Sequence, residues 1–596
     1  MLNRALIPLA VLAAMPAVAH AQAPAQAPAA GSADARLKAL YEREWAWRQQ
    51  QGLRGNRGGD DDGGPATLPK IDAATQKARL DYWTKILAEL DTIPEAQLSP
   101  DEKVNAAVFR QSITTMANEI RFKTYEAPFN SDTFFWSGLS PRSGGFRTAQ
   151  GYRNYIARMR DLPRYFDDQI ANMRAGIARG YTVPRVSATG REETAKPYLP
   201  ADRSNSFFDP FKAMPSSIPA AEQAALTAEG EKAIREAVAP AYAKLYAFLK
   251  NEYLPKTRTV LAGESLPDGK AFYQAQIKGF TTLDLTAEQI HEIGRKEVAR
   301  IRAEMEKVKA KAGFQGDLPA FMEFLRTDPQ FYAKTPYELL AKSAYVAKKM
   351  DAKLPETIGF LPRRRFAILP VPAALAPIYT GGRGGLESCL MNTYNLPSRP
   401  LYTLPSLTLH ECNPGHSFQA AVAQEAIRRP AFRRATGFSG YGEGWALYWE
   451  WLGGQIGIYE TPYEEFGQLT YEMWRAARLV IDTGIHHYGW TREQAQQFLR
   501  DNAALSNHEI ETEIDRYIAW PGQALAYKLG EMLIRRKRAE AEAKLGTAFD
   551  QRNFHDLILS LGSVPLPVLE ARLDQFIADG GKLPKGWNPA LPEYEK

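Results

Sequence analysis

Cysteine is almost missing from this chain, with two residues in 596, and histidine is nearly as scarce, with eight. Cys389 and Cys412 could pair in an oxidising compartment, but nothing in the sequence sets their separation in space, so two inert thiols are expected ahead of a bridge. A thiol nucleophile at Cys412 would leave the adjacent Glu411 unexplained. No window beyond the N-terminus offers about 20 apolar residues, which argues against a membrane span. No long run of one charge occurs among 74 basic and 68 acidic residues, so a net charge of +6 gives no ground for nucleic-acid binding. Tandem repeats and phosphate-loop spacings are absent as well.

What is present starts with a leader. Met1 to Ala21 carry Arg4, an apolar stretch from Ala5 to Ala19 and the small-x-small end Ala19-His20-Ala21, the pattern of a secretory signal peptide cleaved near Ala21. No cysteine lies near that point, so a lipid anchor is not expected, and the mature protein is expected in the periplasm or secreted. Residues 22–34 read as a disordered spacer, and Gly52 to Pro65, with Asp60-Asp61-Asp62, as a solvated loop.

From about Ala73 to Lys353 the pattern is helical, with amphipathic segments at Glu222–Tyr253, Ala287–Ala312 and Pro336–Met350. Seven prolines and a Gly-Gly-Arg-Gly-Gly run then mark Leu354–Pro400, where Arg365–Val371 and Cys389–Tyr394 are strand-like. Helices return after Leu401. We therefore expect a mainly α protein with a small β element beside a cleft, an N-terminal helical lobe over residues 35–355 and a catalytic lobe over 356–596.

The chemistry concentrates in His410-Glu411-Cys412-Asn413-Pro414-Gly415-His416. In an H-E-x-x-H helix the two histidines lie about 40° apart and share a zinc ion while the Glu handles the attacking water. Here the spacing is i, i+6, roughly 240° on an unbroken helix, so Pro414 and Gly415 must distort the backbone to bring His416 back to His410. A catalytic zinc needs a third protein ligand. Glu443 in Gly442-Glu443-Gly444-Trp445-Ala446-Leu447-Tyr448-Trp449-Glu450 is the preferred one, and Glu450, one heptad on, is expected to orient a ligating imidazole.

Arg475, Asp482 and His486 fall on one helix face, so Asp482 could hold His486 as a donor to a developing oxyanion; a buried structural network explains the same stripe almost as well. Tyr517 and Tyr527 are further candidates for stabilising a tetrahedral intermediate, and Arg516 for clamping a substrate carboxylate. A strand within Leu386–Tyr394 could pair with an extended substrate, with Asn392 adding a side-chain contact.

The ordered segments H-E-x-x-P-G-H, E-G-W-A-L-Y-x-E, R-A-A-R-L-V-x-D-T-G-x-H, G-W-T-R-E-Q-A and E-I-x-R-Y-x-x-W-P-G-Q-A-L-x-Y-K-x-G resemble the bacterial domain-of-unknown-function family 885, most specifically over about residues 400–570. The family is grouped with gluzincin metallopeptidases, and the resemblance implies a neurolysin-like helical fold, one Zn2+ per chain on His410, His416 and Glu443, and Glu411 as base. The expected activity is zinc-dependent hydrolysis of peptides; a non-catalytic peptide-binding protein with a structural zinc and a hydrolase of a non-peptide amide are the alternatives. Oligomeric state is left open.

Overall fold

The computed structural model describes residues 31–53, 64–140, 145–373, 375–426 and 429–583. The expected signal peptide, most of the spacer and the triple-aspartate loop lie outside these residues. The spacer ends earlier than expected, because Ser32 caps a helix by accepting from the Ala35 N–H. That helix is α1 (Ala33–Gln50), followed by α2 (Ala73–Asp91), α3 (Pro100–Arg121) and α4 (Ala149–Arg179). The expected amphipathic stretch at 222–253 is one continuous helical rod from Ala220 to Tyr253 interrupted by two π-turns. Next come α5 (Ala287–Lys311), opened by a Thr286–Gln289 capping box, and α6 (Pro336–Asp351).

A three-stranded sheet follows, built from β1 (Ala367–Pro370), β2 (Gly382–Gly384) and β3 (Ser388–Met391) in the order β1-β3-β2. β3 is parallel to β1 and antiparallel to β2. This corrects one expectation. The strand proposed to pair with substrate is the central one, and both its edges are already hydrogen-bonded. Asn392 is likewise buried, its amide donating to backbone carbonyls among Ala376, Tyr379 and Thr380, so it braces the loop before β2 and does not reach a ligand.

The catalytic-half helices are α7 (Leu404–Glu411), α8 (His416–Glu425), α9 (Ser439–Gln455), α10 (Pro462–His486), α11 (Asn507–Ala519) and α12 (Ala526–Leu545). α10 is the central rod, buried at every residue from Phe466 to His486, so its polar stripe faces partners inside the protein and not solvent. α9 lies against α12 at backbone contact distance: a Cβ on Gly444 would stand 2.6 Å from the carbonyl carbon of Gly530. Only glycine permits that approach, and it fixes the height of Glu443 on α9.

No core ends at residue 355. The largest one joins Leu37, Trp83 and Phe109 from the first three helices to Phe432, Trp449, Phe554 and Phe576 from the last third. A second core lies within 129–253, and a third joins Ile301–Phe331 to residues of 402–524.

Candidate metal centre

The i, i+6 spacing is resolved by breaking the helix. α7 stops at Glu411, four residues including a cis Asn413–Pro414 bond reverse the chain, and α8 starts at His416. Three contacts hold the break. Trp445 of α9 donates its indole N–H to the Pro414 carbonyl at 2.8 Å, and the Asn413 amide donates to Asp351 at 2.6 Å. Cys412 is bonded to Cys389 on β3, with a Cα separation of 5.3 Å. The expectation of two inert thiols is overturned: the sheet folds back onto α7 and brings the two side chains together.

His410, His416 and Glu443 form a group whose ligand atoms all lie within 4.8 Å of one another, the one such His/Cys/Asp/Glu group among the described residues. Glu443 Oε2 stands 3.3 Å from His410 Nε2 and 3.1 Å from His416 Nε2. Ligand atoms about 2.0–2.1 Å from a tetrahedral zinc would be about 3.3 Å apart, so the donor set fits that ion. Burial works against a charged His410, but hydrogen bonds with Glu443 and Glu450 and the charges of Glu450 and Glu411 outweigh it and raise its pKa to about 9. Burial also opposes ionisation of Glu443, yet the neighbouring His416 and His410 hold its carboxyl well below the usual range. With no ion bound, a proton on His410 therefore stands opposite the Glu443 carboxylate.

Glu450 behaves as expected for an orienting group. It is fully buried and accepts from His410 Nδ1 at 2.7 Å, which leaves Nε2 facing the group, and it pairs with Arg475 at 3.1 Å. Glu411 turns toward the sheet, where Oε2 accepts the Gly384 N–H at 2.6 Å. A Cβ on Gly384 would lie 1.9 Å from the Glu411 carbonyl oxygen and 2.7 Å from His416 Cβ, so β2 can approach this closely only as glycine.

The triad and Glu411 line a cavity of about 220 Å³ together with Tyr471, Trp474, Arg475, Arg478, Glu509, Arg516 and Tyr527. His416 also lines a second cavity of about 370 Å³, which shares Thr436, Gly437 and Phe438 with a cleft of about 890 Å³.

A family sequence model described as "Bacterial protein of unknown function (DUF885)" matches residues 47–573. The chain belongs to the DUF885 family. Two solved structures, each described as a "putative lipoprotein", share the fold. The one from Colwellia psychrerythraea is 26% identical, with 92% of this chain and 100% of that chain covered and a TM-score of 0.83. The one from Shewanella oneidensis, described as of unknown function, is 19% identical, with 91% and 99% covered and a TM-score of 0.67. No curated protein matches the chain.

This DUF885 chain does not bring every expected residue to the cluster. His486 is fully buried, accepts the Gly263 N–H at Nδ1 (3.1 Å) and donates Nε2–H to the Tyr517 carbonyl (2.9 Å). Backbone N–H groups only donate and carbonyls only accept, so the ring is a neutral tautomer with no proton left for an oxyanion. Asp482 does not hold it; its carboxyl accepts from the Tyr273 hydroxyl and the Gly522 N–H. The stripe on α10 is thus the structural network. Tyr517 is also internal, its hydroxyl accepting from Trp474 Nε1 and Arg478 Nε at 2.7 Å each. Tyr527 and Arg516 do line the cavity, and the Tyr527 ring is nearly parallel to His410 at 6.3 Å. Sequence reasoning missed Arg478 and Glu509. The second arginine of R-A-A-R was a usable signal, one turn beyond Arg475, whereas nothing marks Glu509.

Proposed function

We propose that this protein is a zinc metallopeptidase of the gluzincin type, with a neurolysin-like helical fold, acting on short peptides. The observation that carries the reading is the convergence of two imidazole nitrogens and one carboxylate oxygen at zinc-ligand spacing, with a second carboxylate, Glu411, beside them and free of the ligand set. Bound there, zinc would lower the pKa of a coordinated water to about 7 and polarise a carbonyl.

The chain's own groups supply the rest. Glu411, steadied by Gly384, accepts the proton of the attacking water and returns it to the leaving amine. Tyr527 is the hydroxyl on the cavity wall suited to donate to the developing oxyanion. On the outer edge of β2 the Gly384 N–H already serves Glu411, so Gly382 is the part of that edge left for an extended substrate, in place of β3. A structural zinc is disfavoured because it would need a fourth protein ligand: Cys412 is spent in the disulfide, and Glu450 lies on the Nδ1 side of His410, away from the Nε2 that faces Glu443. The disulfide supports an oxidising, extracytoplasmic location, as do the relatives described as lipoproteins.

The test is metal content beside peptide hydrolysis in one preparation. One zinc per chain and cleavage of a peptide library are expected. A zinc-loaded protein that binds peptides and cuts none would transfer the reading to a peptide-binding protein.

A further inference from the structure

We propose that the small cavity behind the triad is a receptor for the substrate's C-terminal α-carboxylate, so that the enzyme trims peptides from their C-terminal end. The proposal rests on the peptidase reading above and adds to it the substrate class and the direction of action.

Shape is the first argument. The cavity of about 220 Å³ lies below the roughly 300 Å³ at which drug-sized ligands begin to fit, and among the residues lining it only Arg383 is exposed. His416 is also on the wall of the roomier cavity of about 370 Å³, which in turn shares Thr436, Gly437 and Phe438 with the cleft of about 890 Å³. A peptide threaded through the wide side and cut at the triad has room beyond the cut for a short remainder only.

Charge is the second. Arg475 is committed to Glu450, but Arg478 and Arg516 share a single carboxylate, Glu513, at 2.9 and 3.8 Å. Arg478 is 2% exposed, its guanidinium held between the rings of Trp474 and Tyr527 at 4.4 and 4.2 Å, and its Nη1 has no partner. Arg516 has nothing closer than Gln523 and the Tyr527 hydroxyl, both at 3.3 Å, and its Nε has no partner. Burial pushes Glu509, on the same wall, up to about 7, so at neutral pH it is about half ionised and cancels only part of the pair's charge. Two guanidinium groups that share one salt-bridged carboxylate and keep unused N–H donors beside a closed end suit a carboxylate, which accepts two such donors in its own plane.

Three N-acetylated peptides of one sequence test this on the zinc-loaded enzyme: a free C-terminal acid, its amide, and an amide ending in Asp. The free acid is expected to be cut at its last one or two bonds with kcat/KM at least about 10²-fold above either amide. Equal cutting of acid and neutral amide would overturn the receptor while leaving the peptidase standing; equal cutting of acid and Asp amide would assign the arginines to an acidic side chain instead. If nothing is cut the peptidase reading fails, and calorimetry on zinc-loaded Glu411→Gln decides the receptor alone: about tenfold or tighter binding of the acid over the amide supports it, and equal affinity sinks it. Arg478 is too buried to truncate safely, so Arg516→Gln carries the residue test. It should raise KM for the acid about 10- to 100-fold and shrink the acid-to-amide ratio by a similar factor, with Arg516→Lys restoring part of the preference and all variants melting like the parent. An unaltered acid-to-amide ratio in Arg516→Gln would remove Arg516 from the site.

Discussion

At the scale of single residues, Glu411 and His486 separate chemistry from structure. Glu411→Gln keeps shape and the Gly384 contact but cannot take a proton, so zinc content should be unchanged while turnover falls by at least about 10² to 10⁴; near-normal turnover with zinc bound would remove Glu411 from the mechanism. His486 makes the opposite prediction. Burial above all lowers its pKa to about 3, against about 6.5 in an unfolded chain. Between those values the unfolded state binds more protons than the folded one, so stability from this group is full above about pH 6.5 and is lost as pH falls toward 3. The stability difference between wild type and His486→Gln should therefore rise with pH from 4.5 to 6.5, by up to about 1.4 kcal/mol per unit, in urea titrations. A difference flat in pH would mean that the imidazole is not held neutral.

At the scale of elements, the sheet and the broken helix act as one device. β2 reaches Glu411 only because Gly384 has no side chain, so Gly384→Ala should leave the protein folded and lower kcat/KM by about 10² or more, the cost of a roughly 1 Å misplacement of the acting groups. Unimpaired turnover would show that Glu411 does not depend on the strand. The Cys389–Cys412 bond closes a loop of 23 residues behind the same carboxylate. Replacing both cysteines by serine should cost about 2–4 kcal/mol in urea unfolding, and a smaller loss would mean that packing of the sheet on α7 alone secures the loop.

For the whole molecule, the mixing of early and late helices in the largest core predicts that residues 356–596 will not fold alone. The faces that meet Trp83 and Phe109 would be bare, so the fragment should lack a cooperative melt. A sharp, independent transition would restore a boundary at 355. Zinc should stabilise the intact chain by about 2.7 kcal/mol at a free concentration a hundredfold above Kd, an increment read as a drop in Tm on chelation and absent in Glu443→Ala.

The helices and the motif histidines were legible in the sequence because 3.6-residue periodicity and motif spacing are local properties. Of the two carboxylates on one face of the same helix, it is Glu443 that the fold sets beside both histidines and Glu450 that it sets on the far side of His410. The disulfide, the central position of β3 and the internal roles of His486, Asp482, Tyr517 and Asn392 were not legible. Each depends on which distant backbone group meets a side chain, as Gly263 meets His486 across 223 residues. Sequence by itself determined the helical class and singled out the candidate donor residues. Only the tertiary structure decided which polar groups face the cavity and which are consumed inside the core, because burial demands partners wherever packing happens to supply them.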